Sequence, residues 1–187
     1  MIAIVYASLL ALAVFVAVLG IGAVAWIQGL LFSGHAQTLM LGSFGASAVL
    51  VFGAPRSPLA QPRNLLGGHV LSALVGVACW KLFAPWPGVA QALAVATAIA
   101  LMHLSRTLHP PGGATALIAT LGAPEISRLG FGYALVPAAS GPAILLAVAL
   151  IVSVASRRSA SPAPSARARA SSAALPSASA SRRNASP

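Results

Sequence analysis

Few residues in this 187-residue chain can do acid–base, nucleophilic or metal chemistry. It holds one carboxylate, Glu125, and one thiol, Cys79. A lone acid forms neither a general acid–base dyad nor a carboxylate cage for Ca²⁺ or Mg²⁺. A lone cysteine gives neither a disulfide framework nor a cysteine zinc site. The four histidines, His35, His69, His103 and His109, stand apart in sequence, and no two have the i,i+4 spacing that brings ligands to one helix face. His69 and His103 fall in apolar segments. There an imidazole serves either as a polar group bonded to a neighbouring helix or as a proton carrier. No nucleophile, base and orienter form a recognisable set, so the expectation is no enzyme, no metal and no cofactor.

What remains is equipment for an anion. Two glycine-rich stretches carry hydroxyls, one with Ser43, Gly45 and Ser47, the other with Gly112, Gly113 and Thr115. A helix start presents unpaired N–H groups and partial positive charge, glycine lets a ligand approach that backbone, and hydroxyls add donors. Two such starts facing one another predict a small dry pocket for a small anion. Arg106 and His109 precede the second start and add positive charge. Arg106 equally fits a snorkelling side chain at a segment end, and Pro110-Pro111 a helix break and start. The competing reading of the small residues is close helix packing alone.

The elements that must hold these groups are apolar. Hydrophobic residues make up 58% of the chain, mean hydropathy is +0.91, and only 6% of residues are charged, against about 25% in a soluble domain. The first charge is Arg56. So much uncharged apolar chain belongs in a bilayer. The segments read as 2–27, 38–54, 65–84, 88–107, a short 112–123, and 130–154, with Pro-rich 55–64 as a loop and Pro85-Trp86-Pro87 as a break. Twelve residues at 112–123 rise only about 18 Å, too short for a bilayer core of about 30 Å. That segment is therefore a half-helix among the others. No basic leader or small-residue cleavage site precedes the first span, so no removed signal peptide is expected.

The fold class predicted is thus an all-α, polytopic helical membrane protein with about five full or partial spans and a short broken helix. The transmembrane domain covers 1–155. Residues 156–187 are Ala, Ser, Pro and Arg with six arginines and read as a disordered cytoplasmic tail. Despite the net charge of +10, a solvated tail is favoured over a nucleic-acid-binding one. With the tail inside, six crossings put Arg56, Arg63 and Arg106 inside and Lys81 and Arg128 outside. If the fifth segment dips in and returns, Arg56 and Arg63 move outside.

The body also repeats itself. Gly45-Ala46-Ser47-Ala48-Val49-Leu50 matches Gly113-Ala114-Thr115-Ala116-Leu117-Ile118, and Gly53-Ala54-Pro55 matches Gly122-Ala123-Pro124 after one inserted residue. Three segments per copy predict a 3+3 inverted repeat, an architecture in which transporters place their site where two interrupted helices meet.

These blocks resemble a known family. Gly42-Ser43-Phe44-Gly45-Ala46-Ser47-Ala48-Val49-Leu50, then Ser57-Pro58-Leu59-Ala60-Gln61-Pro62-Arg63-Asn64 with Gly67-Gly68-His69, then Leu108-His109-Pro110-Pro111-Gly112-Gly113-Ala114-Thr115-Ala116-Leu117, are similar to the ordered signatures of the HPP family of integral membrane proteins. The similarity runs from about residue 35 to 150. It implies a helical membrane domain, and plastid and cyanobacterial members are implicated in nitrite transport. Some members carry appended CBS nucleotide-sensing domains; none is recognisable here, nor is a plastid transit peptide. The expectation is a carrier or channel for a small inorganic anion, nitrite first, in a bacterial cytoplasmic membrane, either alone or as a homo-oligomer. The rival is a non-transporting membrane scaffold or sensor. The substrate site expected comprises Ser43, Gly45, Ser47, Arg106, His109, Gly112, Gly113 and Thr115.

Overall fold

A computed structural model of the chain describes residues 2–30 and 35–160. The basic stretch 161–187, most of the tail expected to be disordered, lies outside the described residues. Among the described residues every regular element is helical. Helix α1 is Ile2–Gly29. Helix α2, His35–Ala48, continues into one wide π-helical turn, Val49–Gly53. Then come α3 (Pro62–Phe83), α4 (Pro87–Leu104), a short α5 (Pro111–Ala119), α6 (Pro124–Leu129), a 3₁₀ turn at Gly130–Ala134, and α7 (Ser140–Ala160). Three helical stretches are long and apolar enough to cross a membrane: Leu10–Gly29, Pro62–Phe83 and Pro87–Leu104. Gln37–Gly53 and Ser140–Ala155 are shorter apolar helices. The chain is a multi-pass, all-α membrane protein.

Prolines set the starts. Helices α3, α4, α5 and α6 each begin on a proline, whose missing N–H costs nothing in the first helical turn and whose φ is already helical. Helix α4 stops in a Schellman turn: Arg106 N–H donates to His103 O and Thr107 N–H to Met102 O, with Arg106 in the left-handed region at φ 56°.

The structure departs from the expected segments in three places. The second segment, expected at 38–54, starts at His35, and no helix start falls at the Ser43–Ser47 stretch. No proline or capping signal interrupts Thr38–Gly42, and glycine is common within membrane helices, so the helix runs through Ser43, Gly45 and Ser47. The last segment is not one span from 130. Gly130 leaves α6 at φ 51°, the 3₁₀ turn follows, and Pro137, which has no N–H to donate, precedes a helix that starts only at Ser140. That helix then runs to Ala160, past the expected tail boundary at 156.

The two loops nearest the arginines meet. Arg63 Nη2 donates to Ser105 O at 2.8 Å and Asn64 Nδ2 to Leu108 O at 2.8 Å. The ends nearest the other basic residues also meet: a cavity of about 110 Å³ is lined by Val77, Trp80, Lys81, Ala84, Ala119, Ile126, Ser127 and Gly130. Arg63 and Arg106 therefore mark one end of the bundle and Lys81 the other, with α3 and α4 running between them. Helix α5 has nine residues, a rise of about 13.5 Å, and needs α6 and the 3₁₀ turn to complete its course.

The sequence repeat is visible as contacts. Ser43 Oγ donates to Pro111 O at 2.9 Å, and these two positions are equivalent at the offset of 68. The equivalent pair Ser47 and Thr115 bond the two nitrogens of one ring, His69. Gly112 on α5 sits on Gly68 of α3, and its counterpart Phe44 on α2 sits on Gly141 of α7. Equivalent positions of α2 and α5 thus meet directly at Ser43 and Pro111 and across the His69 ring. The halves differ in the local helices: the first copy is mid-helix, the second a helix start.

Candidate functional site

The crossing of α2, α3 and α5 holds a continuous polar cluster in an otherwise apolar core. Ser43, Ser47, His69, Ser72, His109 and Thr115 are all buried. One hydrogen-bonded chain links most of them. His109 Nδ1 lies 2.8 Å from Leu59 O, in the turn before α3. A carbonyl only accepts, so Nδ1 carries the proton and donates it. His109 Nε2 is 2.9 Å from Ser47 Oγ, and Ser47 Oγ is 2.8 Å from His69 Nε2. His69 Nδ1 is 2.7 Å from Thr115 Oγ1, and Thr115 Oγ1 is 2.9 Å from Ser43 Oγ. Ser43 Oγ then donates to Pro111 O. The two imidazole centroids stand 5.0 Å apart, and Phe44 tilts against His69 at 5.5 Å.

Local structure explains each placement. Ser43 and Ser47 are four residues apart on α2 and share a face, with Ser47 Oγ also 3.2 Å from Ser43 O. His69 sits on α3 between Gly68 and Ser72, where small neighbours admit α5: a Cβ on Gly112 would meet Ser72 Oγ at 2.8 Å and Gly68 O at 2.9 Å. Two residues before α5, His109 is held in the turn by its bond to Leu59 O. Tyr133, buried, closes the cluster on the side away from Leu59, donating to Thr115 O at 3.0 Å and lying 3.1 Å from Met40 Sδ.

Of the residues expected at the site, Ser43, Ser47, His109 and Thr115 share this chain of bonds, and Gly112 packs against its edge. Three do not join it. Gly45 faces open space, and a Cβ on Gly113 would meet only Val95, at 3.9 Å. A Cβ at Gly113 therefore has room, and nothing there requires glycine for a close approach. Arg106 is exposed and is the left-handed cap of α4, not a charge aimed into the cluster. Nor do two helix starts face each other, because Ser43 and Ser47 lie mid-helix. The expectation that the histidines stay apart is also corrected for one pair, His69 and His109, forty residues apart in sequence but joined through Ser47. Among the described residues no third His, Cys, Asp or Glu converges with them. Sequence reasoning missed Tyr133 and Ser72. Only the neighbouring Gly130, Gly132 and Pro137 signalled that the chain turns inward there.

Arg106 gives a direct prediction. A non-glycine residue in the left-handed region costs about 1 kcal/mol, so Arg106→Gly raises thermal stability by about that amount. A variant that melts no higher than the parent shows that Arg106 does not hold this conformation.

Comparison with known proteins agrees with this membrane architecture. Two proteins of Dictyostelium discoideum, each named only as a transmembrane protein, are 54% identical over 127 residues and 50% identical over 128 residues. Each match covers 66% of this chain, but only 40% and 44% of those relatives, so the chain spans less than half their length. No solved structure matches. The family model described as HPP, transmembrane region, matches residues 4–162, which takes in every helix that builds the cluster, and the chain belongs to that family.

Proposed function

We propose that the chain is a carrier for a small inorganic anion, nitrite first, in the cytoplasmic membrane, and that it performs no covalent chemistry of its own. One observation carries the reading: a buried cluster of imidazoles and hydroxyls, with no carboxylate among its hydrogen-bond partners, sits where the two sequence repeats cross. Buried polar groups inside a membrane helix bundle are expensive to keep and point to a transport path. Donors without acids suit an anion and repel no negative charge. In the arrangement described here the donors satisfy one another. An anion therefore enters as α2 and α5 shift, exchanging bonds to Ser43, Ser47, Thr115 and the rings for bonds to itself. Tyr133 and Met40 close one side while Leu59 and His109 face the arginine-rich end, the asymmetry that alternating access requires.

Counterflow of labelled nitrite in proteoliposomes tests this. The full chain accelerates exchange over protein-free vesicles, and Thr115→Val lowers it. Loss of one hydrogen bond to a charged ligand costs about 1.5–3 kcal/mol, roughly tenfold to a hundredfold in affinity. Folded wild-type protein with no exchange above protein-free vesicles favours the scaffold or sensor reading.

A further inference from the structure

The cluster's hydrogen bonds can be filled proton by proton. With both rings neutral, His109 donates from Nδ1 to Leu59 O, so its Nε2 must accept, and Ser47 supplies that proton. Ser47 Oγ then accepts from His69 Nε2–H, and His69 Nδ1 accepts from Thr115. The remaining hydroxyl proton, on Ser43, must serve either Pro111 O or Thr115 Oγ1, although both lie at 2.9 Å. The neutral chain is one proton short. A proton added at His69 Nδ1 turns that nitrogen into a donor to Thr115, frees the Thr115 hydroxyl to donate to Ser43, and frees Ser43 for Pro111 O. Every bond along the path from Leu59 O to Pro111 O is then made, and only the longer Ser47 Oγ–Ser43 O contact, at 3.2 Å, stays without a proton.

The added charge is not confined to His69. If His69 Nε2–H passes its proton to Ser47 Oγ while Ser47 passes its own to His109 Nε2, one N–H and one O–H break, one O–H and one N–H form, and the cation has moved to His109 with every bond still made. A second proton would set two cations 5.0 Å apart with no counter-charge. The elements against the rings bring Ser43, Ser47 and Phe44 from α2, Ser72 from α3, Thr115 from α5, the Leu59 carbonyl from the turn before α3, and Tyr133 bonded to Thr115 O. Among the described residues, no carboxylate, lysine or arginine is bonded to either ring. Like charges so close in a medium of low polarity exclude the second proton.

We infer that His69, Ser47 and His109 form a relay that takes up a single shared proton, and that this proton travels with the anion, making the carrier an anion–proton symporter. The coupling rests on the carrier reading above; the shared proton does not. The protonated relay supplies the positive charge that the cluster otherwise lacks, so the anion binds the charged state and leaves the neutral one.

Two measurements separate these parts. In full-length protein with His35→Gln and His103→Gln, reconstituted in lipid and ¹⁵N-labelled at histidine, the two remaining rings shift together through one midpoint and together reach the charge of one imidazolium. Ser47→Ala splits them, and one ring titrates alone. Two full imidazoliums, or a common midpoint that survives Ser47→Ala, overturn the relay; so do rings that stay neutral from about pH 9 to pH 4, a span that brackets the ordinary histidine value. In proteoliposomes, an inward proton gradient drives nitrite accumulation at least tenfold over protein-free vesicles, with one proton per nitrite. Counterflow that ignores the gradient overturns the coupling and leaves the carrier standing. Absent counterflow with a single shared titration overturns the carrier reading and the symport while leaving the relay.

Discussion

Gly76→Ala is expected to remove most of the folded protein from the membrane. Gly76 lies on α3 where α5 crosses it, and a Cβ there would stand 2.5 Å from Ala116 O, 2.9 Å from Ala116 Cα and 2.8 Å from Ala119 Cβ. Two of those atoms are backbone and cannot rotate away. Overpacking of a core commonly costs about 1–3 kcal/mol, and this substitution belongs at the upper end, about 3 kcal/mol. Helices in lipid associate through close packing rather than through hydrophobic burial, so a seam held apart by one methyl loses much of what joins it. Gly113→Ala, with only Val95 in reach, serves as the matched control and stays folded. Detergent-solubilised yield and melting temperature of both variants are the measurement. A Gly76→Ala protein as stable as Gly113→Ala shows that α3 and α5 are not in this contact. Gly141 offers the side-chain counterpart: its Cβ would strike the Phe44 ring. Gly141→Ala is therefore rescued by Phe44→Ala, a rescue that Gly76 does not allow.

Most of this architecture is legible in the residues, and the failures have physical causes. Pro110-Pro111 announces a helix start because a ring without an N–H fits the first turn, and α5 begins there; Pro62 and Pro87, read as part of a loop and of a break, open α3 and α4 for the same reason. Glycines were harder to read. Gly42 and Gly45 resemble Gly112 and Gly113 in composition, yet only the second pair opens a helix, because only it follows two prolines. The 130–154 segment is apolar enough for one span, so hydropathy concealed the turn imposed by Gly130, Gly132 and Pro137. At the site, Ser47 and Thr115 stood out through the repeat. That His69 lies between them could not be read from spacing, since it depends on how closely Gly68 and Gly112 let α3 approach α5. Arg106 misled for a related reason: its charge suggested a ligand, but its backbone conformation is what the end of α4 requires.

His69→Leu is expected to keep the fold and abolish anion movement. Its ring bonds Ser47 at 2.8 Å and Thr115 at 2.7 Å and leans on Phe44. Leucine retains the apolar contact and loses both bonds. The stranded hydroxyls have other partners: Ser47 donates its one proton to His109 Nε2, and Thr115 keeps Ser43 Oγ. Hydrogen bonds between membrane helices average about 0.6 kcal/mol and reach about 1.7 kcal/mol, so losing two costs about 1–3 kcal/mol, which a multi-pass bundle tolerates. Function has no such reserve. The ring joins the hydroxyl of one repeat to that of the other, and an anion held at the crossing loses at least one charge-assisted bond together with the bonded link from Thr115 through Ser47 to His109. The drop in nitrite counterflow should reach about a hundredfold. Yield and counterflow measured on the same preparation divide the two readings of the cluster. A polar staple that only fixes helix positions predicts a lower melting temperature with transport intact; a transport site predicts folded, silent protein. Normal counterflow in well-folded His69→Leu would move the anion path away from this crossing altogether.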